Sequence, residues 1–236
     1  MNVSVAVVTQ DGTQTATRAL RGAITTGCLD GILINNGCCS EHLYTIRSEL
    51  RQPVFRFIDL DPARGLPHCW NLALLYAEHP WVVIANDDVI FEDGWLEALE
   101  AQANAGYRCV TLAYPKNRWG CFALHKSLVA EMGFFDEAFA GIYFEDEDWW
   151  LRLQEHGEEP ALIDAVRHDD GLRRKDRTTH GTKLALSREA NESAFKAKWQ
   201  VSDKGYKTKG KVDGRQCLMM RTRPEVDWHP YVQVWG

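Results

Sequence analysis

The chain predicts an α/β domain built on a mostly parallel sheet flanked by helices, and three observations lead there. Apolar, largely β-branched stretches of strand length at residues 3–8, 31–34, 54–58 and 81–85 alternate with helical patterns. Most close on polar or glycine-containing residues. The fourth, in Trp81-Val82-Val83-Ile84-Ala85-Asn86-Asp87-Asp88-Val89, runs directly into two adjacent carboxylates. A buried parallel strand reads as a continuous apolar run, and open α/β sheets bind ligands beyond the carboxyl ends of their strands. Asp87 and Asp88 therefore stand where such a sheet presents residues to a ligand.

Taken in order, residues 3–8 form the first strand, with Asp11-Gly12 as a turn. Residues 17–26 place Ala19, Leu20, Ala23 and Ile24 near helical spacing. The second strand, 31–34, is expected to break at Asn35-Asn36-Gly37, and the third, 54–58, to end at Asp59. Residues 70–76 read as a helix before the fourth strand. Beyond it, 95–103 is helical, 108–113 and 120–125 are strands (the second a candidate for antiparallel pairing), and 128–132 is a short helix stopped at Gly133. Residues 146–156 form a strong helix with Gly157 at its C-terminus, its Trp149, Trp150, Leu151 and Leu153 packing inward. A last strand spans 161–166, and 187–199 reads as a separate amphipathic helix. The Lys- and Gly-rich stretch 202–214 is the best linker candidate.

With 236 residues the chain accommodates one α/β domain and an appendage, divided here into 1–171 and 172–236. Its 45% hydrophobic and 25% charged residues are ordinary for a globular protein. No stretch approaches the roughly 20 apolar residues of a membrane span. The N-terminus has no basic region before its apolar run, so no signal peptide is expected. Seven cysteines with no C-x-x-C pair read as reduced thiols of a cytoplasmic protein. Residues 1–171 carry 12 Lys and Arg against 26 Asp and Glu, whereas 172–223 carry 15 against 5. That basic segment, with Arg173, Arg174, Lys175, Arg177, Lys204, Lys207, Lys209 and Lys211, suits either a polyanionic partner or simple solvation.

Two further clusters bear on chemistry. Tyr143-Phe144-Glu145-Asp146-Glu147-Asp148 opens the predicted helix at 146–156 with four consecutive acids. The helix dipole offsets part of their repulsion, which makes simple capping the better reading of Glu147. Asp146 follows apolar Tyr143 and Phe144 and is the better candidate for a general base. His168 ends a predicted strand; beside a metal at Asp88 its imidazole is a reasonable further ligand for Mn²⁺ or Mg²⁺.

These residues come in a familiar order. Residues 3–9, Asn35-Asn36-Gly37, Arg64-Gly65 with Asn71, Asn86-Asp87-Asp88-Val89, Gly133-Phe134-Phe135-Asp136, the acidic cluster with Arg152, and His168 together resemble a family 2 glycosyltransferase of the GT-A (Rossmann-like) fold, over roughly residues 3–171. A weaker echo is Phe195-Lys196-Ala197-Lys198-Trp199. The resemblance implies a nucleoside pocket lined by Thr9, Asp11 and Asn35 or Asn36, with Arg64 near the base or phosphate. It implies Asp88 as a ligand of Mn²⁺ or Mg²⁺ with His168, and Asp87 near the ribose or the metal's water. Asp146 then matches the catalytic base, Glu145 and Asp148 flank it as substrate-binding residues, and Trp119 lies on the acceptor side. Three positions depart from the family's pattern: Asn86 replaces the first acid of Asp-x-Asp, Asn35 replaces an Asp, and Ala63 replaces an Asn.

The implied reaction is metal-dependent, inverting transfer from a nucleotide-diphosphate sugar, a UDP-sugar favoured, to a hydroxyl acceptor, including a polyanion such as modified DNA. A nucleotidyltransferase would place a Gly-rich, Arg-containing loop after the first strand, which Thr9-Gln10-Asp11-Gly12-Thr13 does not match. The remaining alternative is a non-catalytic nucleic-acid-binding or scaffold protein with a degenerate transferase domain.

Overall fold

A computed structural model describes residues 1–10, 13–115, 119–169 and 180–199. Its first half alternates strand and helix: Val3–Thr9 (β1), Thr13–Thr25 (α1), Asp30–Asn36 (β2), Ser40–Glu49 (α2), Phe55–Leu60 (β3), Leu66–Tyr76 (α3) and Trp81–Asn86 (β4). β1 lies between β2 and β4 and β3 lies outside β2, all parallel. Four carboxyl ends therefore meet at one edge, bringing Thr9, Asn36, Asp59 and Asn86 to the same end of the sheet.

The second half adds Val89–Phe91 (β5), Trp95–Asn104 (α4), Cys109–Thr111 (β6), Cys121–His125 (β7), Lys126–Met132 (α5), Glu145–Glu155 (α6), Ala161–Leu162 (β8), Val166–His168 (β9) and His180–Trp199 (α7). β7 is antiparallel to both β4 and β6, and β8 is parallel to β6. Among the described residues the main sheet runs β3-β2-β1-β4-β7-β6-β8, and β5 pairs antiparallel with β9 as a separate ribbon.

Strand periodicity distributes the core between the two faces. Val5, Val7, Leu33 and Val83 pack with Leu20, Phe91, Trp95 and Leu99 on one side. Ala6, Ile32, Ile34, Val82 and Ile84 pack with Trp70, Leu74, Phe122, Phe135 and Trp149 on the other. Both faces being covered, the central strands carry no solvent-facing alternation. Trp149 stacks on Phe135 with ring centroids 4.5 Å apart, which fixes α6 against the second layer.

Several boundaries differ from those read in the sequence. Asn35 and Asn36, expected to break the second strand, are its last two residues, because their side chains bond the neighbouring loops. Residues 161–166 split into β8 and the start of β9, since Ala161 pairs with β6 and Val166 with β5. Trp150 is only partly buried, whereas Trp149, Leu151 and Leu153 are buried. Helix α2 escaped the sequence reading because only Ile46 of its ten residues is buried. Helix α7 is not detached: Phe195 and Trp199 form a third apolar cluster with Phe139, Phe144 and Leu151. The expected division at residue 171 and the basic side chains at 173–177 and 204–211 lie outside the described residues. Among the described residues no helix is long and apolar enough to cross a membrane.

Candidate active site

The strand-end acids are held from two directions. Thr9, at the end of β1, donates its hydroxyl to Asp87 Oδ2 at 2.8 Å, and the Asn86 amide donates to the Gly120 carbonyl at 2.8 Å. On the other side the β5–β9 ribbon pairs Val89 with His168, and the Asp169 amide donates to the Asp88 carbonyl at 2.8 Å. This register sets His168 Nδ1 3.0 Å from Asp88 Oδ1 across 80 positions of sequence. Both side chains are nearly buried, and among the described residues His168 Nε2 has no hydrogen-bond partner. Asp169 is anchored in turn by Arg18 at 2.6 Å. The three-residue run Val89-Ile90-Phe91 was the sequence signal for this ribbon, but nothing local identifies its partner.

The residues at the ends of β2 organise loops. Asn35 Oδ1 accepts from the Cys38 amide at 2.9 Å, and its Nδ2 donates to Asp59 Oδ1 at 3.2 Å. Asn36 makes a two-way bond with Arg64, accepting from its amide at 2.7 Å and donating to its carbonyl at 3.0 Å. The Arg64 backbone is thus fixed while its side chain is exposed. Asp59, which also pairs with Arg47, is a strand-end carboxylate beside Asn35 that was not singled out from the sequence. Its parallel register with Asn35 is the feature that brings it there. Asp11 lies outside the described residues.

Asn71 ties α3 to the segment before α6, bonding the Phe135 amide and carbonyl at 2.9 and 3.0 Å and Glu137 at 2.8 Å. Trp119, expected on the acceptor side, is packed edge-on against Phe122 with centroids 5.1 Å apart and belongs to the second core layer.

The acidic cluster divides by direction. Asp148 is fully buried and receives Arg152 Nε at 3.1 Å, Trp199 Nε1 at 2.8 Å and Lys198 Nζ at 2.8 Å. With these partners Asp148, expected among the substrate-binding residues, braces α6 and α7. Lys198 also reaches Asp136. Burial alone would push the Asp136 carboxyl up, but Lys198 and the Ala138 amide hold it below the ordinary carboxylate range.

Among the described residues Glu145 and Asp146 have no such cation. Glu145 is buried and its Oε2 is without a partner, and burial pushes its carboxyl up to about 7. Half-buried Asp146 accepts from the Glu147 amide at 3.1 Å. Burial, reinforced by the neighbouring Glu147 and Glu145, pushes the Asp146 carboxyl well above its ordinary value. A carboxylate with its proton affinity raised this way suits a role in proton transfer. The chain enters α6 through Tyr143 and Phe144 at φ 83° and 72°, left-handed positions that side-chain-bearing residues rarely adopt and that typically cost about 1–2 kcal/mol each.

The Glu145 shift gives a stability prediction. Its folded-state value stands above its ordinary 4.5, so the folded protein retains a proton that the unfolded chain releases. This contribution is intact below pH ~4.5, declines as pH rises towards about 7, and is lost above it. Glu145→Gln is expected to gain on wild type by on the order of 3 kcal/mol between pH 4 and 8. Denaturant unfolding across that range checks it; parallel stability curves would contradict it.

The family model described as glycosyl transferase family 2 matches residues 4–195. A search of curated protein sequences finds no match. Among solved structures, GalNAc-T7 with UDP, GalNAc and Mn²⁺ superposes with a TM-score of 0.70 at 13% identity, covering 87% of this chain and 49% of that one. The mannosyltransferase PcManGT of Pyrobaculum calidifontis, in complex with GDP-Man and Mn²⁺, gives 0.62 at 14% identity, covering 78% and 60%. Glucosyl-3-phosphoglycerate synthase of Mycobacterium tuberculosis, with Mn²⁺, UDP and phosphoglyceric acid, gives 0.62 at 13%, covering 86% and 80%. Against the first two of these the chain spans about half to three fifths of the other protein's length. At such identities the likeness is one of fold. A matched span that includes the strand-end acids, the acidic helix and most of α7, on a parallel sheet of GT-A topology, shows that the chain belongs to glycosyl transferase family 2.

Proposed function

We propose that this domain transfers a sugar from a nucleotide-diphosphate sugar to a hydroxyl acceptor, with a divalent cation at Asp88 and His168 and with Asp146 as the general base. The observation that carries the reading is the Asp88–His168 pair, 3.0 Å apart at the carboxyl end of β4. His168 Nδ1 lies against the Asp88 carboxylate, and a carboxylate with an imidazole nitrogen this close is a donor pair that fits a cation. Among the described residues no three His, Cys, Asp or Glu side chains are grouped to hold a metal. Two protein ligands suffice where substrate phosphates and water complete the shell, as is usual for Mg²⁺. When bound, the cation would neutralise charge on the departing diphosphate.

The chain's own residues supply the rest. Thr9 holds Asp87 at the carboxyl end of the sheet, while Asn35 and Asn36 fix the loops that would border a nucleoside. Arg64 offers its exposed guanidinium on one of those loops to the base or phosphate. Asp146 takes the acceptor hydroxyl proton as that oxygen attacks the anomeric carbon, and its raised affinity for a proton suits that step. In the same helix turn Glu145, whose buried Oε2 has no partner among the described residues, would bind substrate. One base acting opposite the leaving diphosphate inverts the anomeric configuration. Because proteins of similar fold hold UDP or GDP-Man, UDP-sugars and GDP-mannose are the donors to try first.

Nucleotide release from UDP-glucose, UDP-N-acetylglucosamine and GDP-mannose, with Mn²⁺ or with chelator, tests this. The expected result is release from one donor in Mn²⁺ and loss of at least ~90% of it in chelator, as for a site that depends on metal charge. No binding and no release with any donor would leave a non-catalytic domain of the same family.

A further inference from the structure

Helix α7 lies outside the sheet, yet its polar residues converge on the backbone just before Asp146. Asn191 is 2% exposed, and its Nδ2 lies 2.8, 3.2 and 2.9 Å from the carbonyls of Ala140, Ile142 and Tyr143. Ser187 Oγ accepts from the Ile142 amide at 3.2 Å and donates to its carbonyl at 2.9 Å. A Cβ on Gly141, at φ +75°, would stand 2.8 Å from that Ser187 Oγ, so helix and loop are in direct contact. The opposite side of the loop is tied to α3, where the Leu66 amide donates to the Gly141 carbonyl at 2.7 Å. Four of the five residues 140–144 thus have backbone groups bonded by Asn191, Ser187 or Leu66.

This explains how two left-handed non-glycine residues persist ahead of α6. Tyr143 and Phe144 turn the chain so that Phe144 becomes the N-cap and its carbonyl accepts the Asp148 amide at 2.9 Å. Released from those carbonyl bonds, the backbone would relax towards ordinary dihedrals and rotate the first turn of α6, which carries Glu145 and Asp146. Below this contact, Phe195 and Trp199 pack on Phe139, Phe144 and Leu151 and hold α7 in place. The packing gives attachment, and the amide gives the loop its conformation.

We infer that Asn191, assisted by Ser187, is a positioning residue for the reaction: its side-chain amide fixes the 140–144 backbone and thereby sets the orientation of the Asp146 base. This rests on Asp146 being that base. A carboxamide is required because three carbonyl oxygens face it; a carboxylate of the same shape would repel them.

Asn191→Asp tests the amide at constant shape, and Ser187→Ala is a milder second variant if the first folds poorly. Hydrogen–deuterium exchange of residues 139–148 and nucleotide release from UDP-glucose or GDP-mannose in Mn²⁺, whichever wild type hydrolyses, are measured together. The expected result for Asn191→Asp is exchange at least ~10-fold faster in 139–148 with β1–β4 unchanged. Its kcat should fall at least ~10-fold with donor KM within about twofold, the pattern of a lost transition-state interaction. Ser187→Ala should move both quantities the same way by about threefold, a smaller loss of the same kind. Unchanged exchange in 139–148 would overturn the inference, as would faster exchange with normal kcat, or kcat and donor affinity lost together with the melting temperature. If wild type neither binds nor hydrolyses a donor, the functional reading falls by itself, and the exchange data still decide whether Asn191 holds the loop.

Discussion

Asp146→Asn is expected to lower turnover by on the order of 10² or more while leaving donor affinity within a few-fold. The amide is nearly isosteric and retains an acceptor for the Glu147 amide, but it does not take a proton. The pH profile supplies an independent sign. A base must be deprotonated to act, so wild-type kcat/KM should rise with pH through the Asp146 pKa. Because burial beside Glu147 and Glu145 raises that pKa, the rise should lie above the ordinary carboxylate range. An acid limb below pH ~4, the range of an unperturbed Asp, would contradict the assignment. Near-normal Asp146→Asn turnover with a crippled Asp148→Asn would transfer the role to a residue now seen as a buried brace.

Asp88→Ala is expected to abolish the Mn²⁺-dependent part of nucleotide binding, and Asp87→Ala to weaken it less. Asp88 meets His168 Nδ1 at 3.0 Å, whereas Asp87 is bonded to Thr9. Removing one of two protein ligands should cost at least the ~10–100-fold typical of losing an outer-shell partner. Calorimetric titration of UDP and GDP with Mn²⁺ measures it, and an unchanged affinity in Asp88→Ala would remove the metal assignment. His168→Ala should resemble Asp88→Ala more than Asp87→Ala.

The sheet and the strand-end acids were legible because they are local. A continuous apolar run ending in Asn86-Asp87-Asp88 reports both a buried strand and the residues at its end. The Asp88–His168 pairing was suggested by ligand chemistry and by the resemblance, not by any local pattern, since its cause is the β5–β9 register, a long-range pairing of two three-residue strands. Polar contacts were least legible. Four acids in a row carry no sign of which is paired, yet Asp148 meets Lys198 and Trp199 from α7 while Glu145 keeps an orphaned oxygen. Asn191 was invisible for the same reason: its partners are backbone carbonyls some fifty residues away.

The central claim is donor cleavage under the control of one base, and the anomer first released reports on it directly. Proton NMR of the wild-type protein with UDP-glucose or GDP-mannose and Mn²⁺, at times short of mutarotation, should show the β-anomer of the free sugar from the α-linked donor, and none with Asp146→Asn. Release of the α-anomer, or no cleavage of any nucleotide-sugar in Mn²⁺, would contradict the account.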